Sequence, residues 1–308
     1  MTKMERVLAT LQKKETDRVP FSVYVHSTVH SRGVERFVEF TLDFHRRYDP
    51  DYVKVMYDEN YDTPVNFQFV QETSDWRKLE ELDAHLGAYG RQIEILRRVK
   101  DAVGPEVPVI QTVYSPFHTA TRLAWRRLVD DIRRDPEAVA AGLARIAQNT
   151  GRFAEACVTE AGIDGFFLGA LGCENRWLPK EEYAKHAAPH DQSLLASLRR
   201  GRILIVHIHG EKDSHFDLLK GYECDALSWE DRLAGPSIAE ARKATDRCLI
   251  GGVNHVAART AKPADIVREA KEAIAAAGRR GLILAPGCTL PDDTPPENIL
   301  AFRTAVGA

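Results

Sequence analysis

The sequence predicts an α/β fold, a single (β/α)8 TIM barrel over residues 1–308, and three observations predict it. Eight short β-rich runs alternate with amphipathic stretches almost throughout, the order from which parallel sheets with right-handed crossovers are built. Residues with chemical potential collect at or just after the ends of those runs, where barrels of this kind carry their sites. No Gly/Ser or Pro linker, fixed-period repeat or low-complexity segment divides the 308 residues, and a chain of that length can bury one barrel-sized core.

The expected strands are Val19–Val25, Tyr52–Met56, Val107–Tyr114, Gly165–Leu168, Ile203–His209, Ala226–Ser228, Cys248–Gly252 and Leu282–Ala285. Each is a run rich in Val, Ile, Leu or aromatic residues, as a strand buried on both faces should be. Between and after them, helical patterns cover Arg91–Val103, Pro136–Ala161, Lys180–Lys185, His190–Arg199, Ser237–Thr245, Pro263–Ala277 and Pro296–Val306. Start and stop signals bracket two of these, Asp135-Pro136 with Gly162 and Pro263 with Gly278. A doubly wound open sheet that binds a dinucleotide would need a glycine-rich first turn. The first strand ends Val23-Tyr-Val-His26 instead.

Composition narrows the function. The chain is 44% hydrophobic and 28% charged with a net charge of −3, which is no electrostatic footprint for nucleic acid. It contains no run of 18 apolar residues and no signal-peptide core, so a cytoplasmic location is expected. Five widely spaced cysteines argue against a disulfide scaffold.

Two strand ends stand out. Ile203-Leu-Ile-Val-His-Ile-His-Gly210 carries His207 and His209, two apart and therefore on one face. Leu282-Ile-Leu-Ala-Pro-Gly-Cys288 turns at Pro-Gly and presents a thiol. Two imidazoles and a thiolate are the ligand set of a three-ligand zinc site with an open position. The blander alternative is a hydrogen-bonded core histidine, an incidental second one and a buried loop cysteine. Other polar residues follow strand ends. His26 would lie at the barrel mouth, with His30 nearer the surface. Tyr114 and His118 follow the third strand and would line a pocket. Glu174, Asn175, Arg176 and Trp177 follow the fourth: Glu174 is an acid or base, or a solvated carboxylate, and the other three contact substrate or form a capping loop. Asn254 either points into the mouth or caps a helix. Arg126-Arg127, Arg133-Arg134 and Arg199-Arg200 read as outer-face charge.

Several segments together resemble the uroporphyrinogen decarboxylase superfamily. They are the opening Glu5-Arg-Val-Leu through Arg18-Val-Pro20, Ala161-Gly-Ile-Asp-Gly-Phe-Phe167, His207-Ile-His-Gly210, Leu249-Ile-Gly-Gly-Val-Asn254, and Ala285-Pro-Gly-Cys-Thr-Leu-Pro291 with Glu297-Asn298. The resemblance implies a (β/α)8 barrel. Tyr114-Ser-Pro-Phe-His118 is similar to the family's Phe/Tyr-Ser-Pro segment, and Asp58 stands where the decarboxylases place an aspartate that hydrogen-bonds pyrrole nitrogens, although a solvated loop carboxylate fits Asp58 equally. The decarboxylases also carry an arginine-rich motif that clamps substrate carboxylates, for which other side chains substitute poorly. The matching stretch, residues 24–33, has Arg32 alone, which weighs against a tetrapyrrole substrate.

The zinc branch of that superfamily, the methylcobamide:coenzyme M methyltransferases, holds its metal through His-x-Cys, a Cys in the Pro-Gly-Cys segment and an acidic fourth ligand. By resemblance these positions are His207, His209, Cys288 and Glu230. His209 departs from the pattern by replacing a cysteine, which leaves the zinc more positive. The resemblance implies a zinc-dependent methyl- or alkyl-transferase; if its methyl group passes through cobalamin, a separate corrinoid protein must dock at the barrel mouth, since the chain shows no room for a corrinoid domain. The alternatives are a metal-free lyase that uses Asp58 on a small carboxylated molecule, and a catalytically silent ligand-binding barrel.

Overall fold

Seven of the eight β-rich runs form one parallel sheet in the computed structural model, which describes residues 1–26, 28–63 and 69–308. The strands are β1 (Val53–Val55), β2 (Val109–Tyr114), β3 (Gly165–Ala170), β4 (Ile203–Ile208), β5 (Ala226–Trp229), β6 (Cys248–Val253) and β7 (Leu282–Pro286), paired in sequential order. Helices follow the strands, among them Gly87–Val103, Pro136–Thr159, Ala188–Leu198, Pro263–Ala277 and Pro296–Val306. The longest, Pro136–Thr159, starts where Asp135 accepts a hydrogen bond from the Ala138 N–H at 2.9 Å, the capping that the sequence signals. Three further helices, Val34–Tyr48, Pro116–Ala124 and Arg127–Arg134, lie outside the helical patterns expected. The first begins at Gly33 with no side-chain cap, so it offers no N-terminal signal to read.

The expectation of eight strands closed into a barrel needs correction. Segment 19–25 makes only isolated bridges, Phe21 to Leu284 and Val25 to Leu290, and the sheet curls without closing by a continuous ladder. The cause is a shortage of donors. Pro20 has no N–H, and the Phe21 N–H is taken by the Asp51 carboxylate at 2.8 Å. What remains is a seam: Ser22 N–H donates to Leu284 O, Leu284 N–H to Pro20 O and Asp51 N–H to Phe21 O, at 2.8–2.9 Å. The architecture is barrel-like, with segment 19–25 lying where the eighth strand would be.

Inside the curl, alternation places side chains in layers. The lower layer is apolar: Ile110, Ile203, Ile205, Cys248, Ile250 and Ile283 are buried together, each isoleucine contributing about 1.5–3 kcal/mol. Val7, Leu8 and Leu11 of the N-terminal helix Lys3–Leu11 plug it from below. A capping box, Thr2 with Glu5, starts that helix. Beside it, Asp51 is fully buried and accepts from Arg6 Nη1 and Arg18 Nη1, each at 2.7 Å. Two residues further along β1, β2, β4 and β5 the interior turns polar. Lys54, Thr112, His207 and Ser228 replace the aliphatic layer, and they face the C-terminal ends of the strands.

Candidate functional site

The mouth holds a cavity of about 200 Å³ lined by residues that include Lys54, Thr112, Tyr114, His118, His207, His209 and Cys288. His209 follows β4, Glu230 follows β5 and Cys288 sits two residues beyond β7. Ligand atoms of these three residues, separated by up to 79 positions in sequence, all lie within 4.8 Å of one another. Backbone contacts set this convergence. The His209 N–H donates to Ala170 O at 3.1 Å and the Gly287 N–H to Val253 O at 3.0 Å. Gly287 also allows a close approach, since a Cβ there would meet the Glu230 Cα at 3.1 Å.

The electrostatics leave the donors unsatisfied. His209 Nδ1 and Glu230 Oε1 are 3.3 Å apart, yet the geometry is not that of a hydrogen bond and Nδ1 has no partner. Burial pulls His209 down to about 4, so its imidazole is neutral and offers a lone pair. Burial, then the neighbouring Glu211 and Glu174, push Glu230 up to about 7. Burial, then Glu230, push Cys288 up to about 11. A cation placed among these groups would reverse both upward shifts, because it favours the deprotonated forms. The donor set therefore fits zinc.

His207 stands beside this group rather than in it. Its Nδ1 lies 3.1 Å from Ser228 Oγ, its ring stacks on Phe167 with centroids 5.3 Å apart, and it meets the His209 ring edge-on at 5.7 Å. Its Nε2 is buried without a partner, and burial holds the ring well below its usual pKa.

The remaining expected site residues scatter. His118 and Tyr114 line the cavity, ring centroids 4.3 Å apart, and Gly169 makes room, since a Cβ there would lie 3.1 Å from the Tyr114 ring. His118 Nδ1 contacts Gly169 O at 3.3 Å, a carbonyl that can only accept, so Nδ1 carries the hydrogen and Nε2 is free to accept. Burial lowers this histidine to about 3. His26 lines the rim and its Nδ1 pairs with Asp58 Oδ1 at 2.8 Å, while Asp58 Oδ2 is buried without a partner. The side chain of His30 lies outside the described residues. Glu174 is 2% exposed and ion-paired to Arg176 at 3.0 Å; burial raises its pKa. Asn175, Arg176 and Trp177 line an outer groove that adjoins the cavity at Leu171. Asn254 Oδ1 accepts from the Val256 and Ala257 N–H groups, each at 3.0 Å. Of the two roles expected for it, the cap is the one its hydrogen bonds form.

Sequence reasoning passed over Lys54 and Thr112. The signal was present, since a lysine inside the apolar run Tyr52–Met56 contradicts the rule that lysine is almost never fully buried unless paired.

Comparisons with known proteins agree with this architecture. The methylcobamide:CoM methyltransferase MtbA of Methanosarcina acetivorans is 22% identical over 235 residues, 75% of this chain and 67% of that protein. A methyltransferase from Methanosarcina mazei superposes with a TM-score of 0.84 at 19% identity, covering 99% of this chain and 98% of its own. A B12-independent methionine synthase from Shewanella superposes with a TM-score of 0.64 at 10% identity, over 93% and 91% of the two chains. The likeness to these structures is one of fold. No helix among the described residues is long and apolar enough to cross a membrane. The family model for uroporphyrinogen decarboxylase (URO-D) matches residues 2–308, and the chain belongs to that family.

Proposed function

We propose that the chain, as one domain over residues 1–308, is a zinc-dependent methyl- or alkyl-transferase, working in the cytoplasm on a small substrate with a separate corrinoid protein as methyl donor or acceptor. The observation that carries this reading is the convergence of His209, Glu230 and Cys288 within 4.8 Å at three strand ends. Similarity to a methylcobamide:CoM methyltransferase supports the choice of reaction and is the ground for the corrinoid partner. A cavity of about 200 Å³ lies below the range of about 300–1,000 Å³ typical of larger ligands, which suits a small substrate rather than a tetrapyrrole.

His209 Nδ1, Cys288 Sγ and a Glu230 carboxylate oxygen would hold the metal, with His207 Nε2 as the adjacent further donor. Bound zinc supplies a Lewis acid that lowers the proton affinity of a substrate thiol or hydroxyl, keeping it nucleophilic near neutral pH. The protein's own groups do the rest. Glu230 would be deprotonated beside the metal, and its second carboxylate oxygen would be placed to accept the proton that the substrate heteroatom releases. His207 and His209 stay neutral and do not compete for that proton. Tyr114 and His118 wall the cavity and limit water at the nucleophile, with His118 Nε2 available to orient a substrate hydrogen.

Elemental analysis of purified protein tests the reading. About one zinc per chain is expected, lost in Cys288→Ala. Protein that neither contains nor takes up zinc, and gains no thermal stability from it, would sink the proposal. That result would favour the metal-free lyase alternative, for which the unpartnered Asp58 Oδ2 is the supporting observation.

A further inference from the structure

A second cavity, of about 240 Å³, lies outside the metal site, between the ends of β1 and β2 and the helices Gly87–Val103, Pro116–Ala124 and Pro136–Thr159. Its walls are aromatic. Tyr89 stacks on Phe153 with ring centroids 4.4 Å apart, and Tyr57 lies 6.1 Å from the first and 5.9 Å from the second. Leu123 adds aliphatic surface, and the exposed ring of Phe69 also lines the space. Tyr114 borders both this cavity and the one that holds His209 and Cys288. Three tyrosine hydroxyls belong to the lining, and they differ in one respect. Tyr89 Oη shares a hydrogen bond with Thr150 Oγ1 at 3.3 Å, and Tyr61 Oη accepts from Asn149. Tyr57 is 7% exposed, and its Oη is buried without a partner among the described residues.

Protein interiors contain few voids larger than a water molecule, and an apolar cavity of about 150 Å³ is enough to take up benzene. The space here is room for one substituted ring, and rings prefer other rings in offset or edge-on contact. The unmatched hydroxyl specifies the substituent, because a buried O–H that bonds to nothing is costly and an oxygen on the ring would accept from it. We propose that this cavity is a binding site for a monocyclic aromatic molecule that carries a hydroxyl or ether oxygen. The ring packs against Tyr89 and Phe153, and its oxygen meets Tyr57 Oη, which donates to an ether and either donates to or accepts from a hydroxyl. The inference does not rest on the zinc reading, since His207, His209, Glu230 and Cys288 do not line this cavity.

The test is titration of the full chain with para-fluorophenol, para-fluoroanisole and para-fluorotoluene, read by fluorine NMR. Saturable binding of the phenol or the anisole is expected, tighter than that of the toluene, and whichever of the two binds more tightly tells hydroxyl from ether. Tyr57→Phe keeps the ring and removes the hydroxyl. It should weaken the tighter ligand about 3- to 10-fold, the worth of one neutral hydrogen bond, and leave the toluene unchanged. Without ligand it should unfold at the same or a higher temperature, because the lost hydroxyl had no partner. Leu123→Trp fills the cavity and should abolish binding of all three arenes, and it serves if Tyr57→Phe does not fold. Absence of saturable binding, a toluene that binds as tightly as the oxygenated arenes, or unchanged affinities in both variants would overturn the proposal. Displacement by cyclohexanol as readily as by phenol would do the same, since the aromatic walls would then select nothing. Loss of binding in His209→Ala would place the ring in the metal cavity and overturn it too.

Discussion

The floor and the mouth of the curled sheet are both buried and both contain ionisable groups, but they treat them in opposite ways. At the floor the charges of Arg6, Arg18 and Asp51 are paired, and the groups left without a partner are the neutral hydroxyls of Thr10, Ser22 and Tyr52. Asp51, fully buried, accepts from Arg6, Arg18 and the Phe21 N–H at 2.7–2.8 Å, and Arg6 also pairs with Asp17 at 2.7 Å. At the mouth His207 Nε2, His209 Nδ1, Thr112 Oγ1 and Asp58 Oδ2 have none. Because an unsatisfied buried polar group costs about 1–3 kcal/mol, the mouth is a place where stability has been given up, and such places are candidates for ligand binding. The difference teaches which half of one interior holds the fold together and which half is set for chemistry.

The largest effect expected on this contrast is at the floor. Asp51→Ala should destabilise the protein by about 3–5 kcal/mol, the cost of leaving a buried partner charge uncompensated, measured by urea unfolding. A loss under 1 kcal/mol would mean that the floor network is no more than surface pairing.

At the mouth, His209→Ala should cost little stability without metal but should weaken zinc binding by more than the roughly 10–100-fold typical of losing a supporting group. His209→Cys should retain zinc, since it exchanges one good ligand for another. Zinc stoichiometry and thermal unfolding of both variants read this. Full occupancy in the alanine variant would remove His209 from the metal site.

Acidification should act through the mouth histidines. Burial holds His118 at about 3 and His209 at about 4, below the ordinary 6.5. The unfolded chain therefore takes up protons first as pH falls. The stability these neutral rings contribute is fully present above about pH 6.5 and is lost progressively towards pH 4 and then pH 3. Unfolding temperatures across that window should fall less steeply in His118→Gln than in wild type; identical slopes would show that His118 titrates normally.

The smallest effect is expected from Asn254. As a cap of the turn at 256–257, its change to Ala should cost about 1 kcal/mol and leave zinc binding unchanged. A change in zinc affinity would show that Asn254 does more than cap this turn.

What the sequence determined by itself is whatever depends on near neighbours along the chain. Alternating apolar runs and helical patterns specify seven strands and most of the helices, and the two-residue spacing of His207 and His209 puts them on one face because a strand repeats every two residues. Asp135-Pro136 marks a helix start through capping chemistry that is local in the same sense. The tertiary structure alone decided the rest. The donor shortage at Pro20 and Phe21 depends on Asp51, some thirty residues away, and no pattern within segment 19–25 reveals that the eighth strand position is only bridged. Whether Glu230 meets His209 and Cys288, whether His207 leans on Ser228 instead, and whether Trp177 faces the cavity or the outer groove depend on sheet curvature and loop path. Those are set by packing between elements far apart in sequence. Lys54 shows the boundary most sharply: its place in a strand was readable, but that its Nζ meets the Met56 thioether and the Tyr24 and Phe167 rings is a property of everything around it in space.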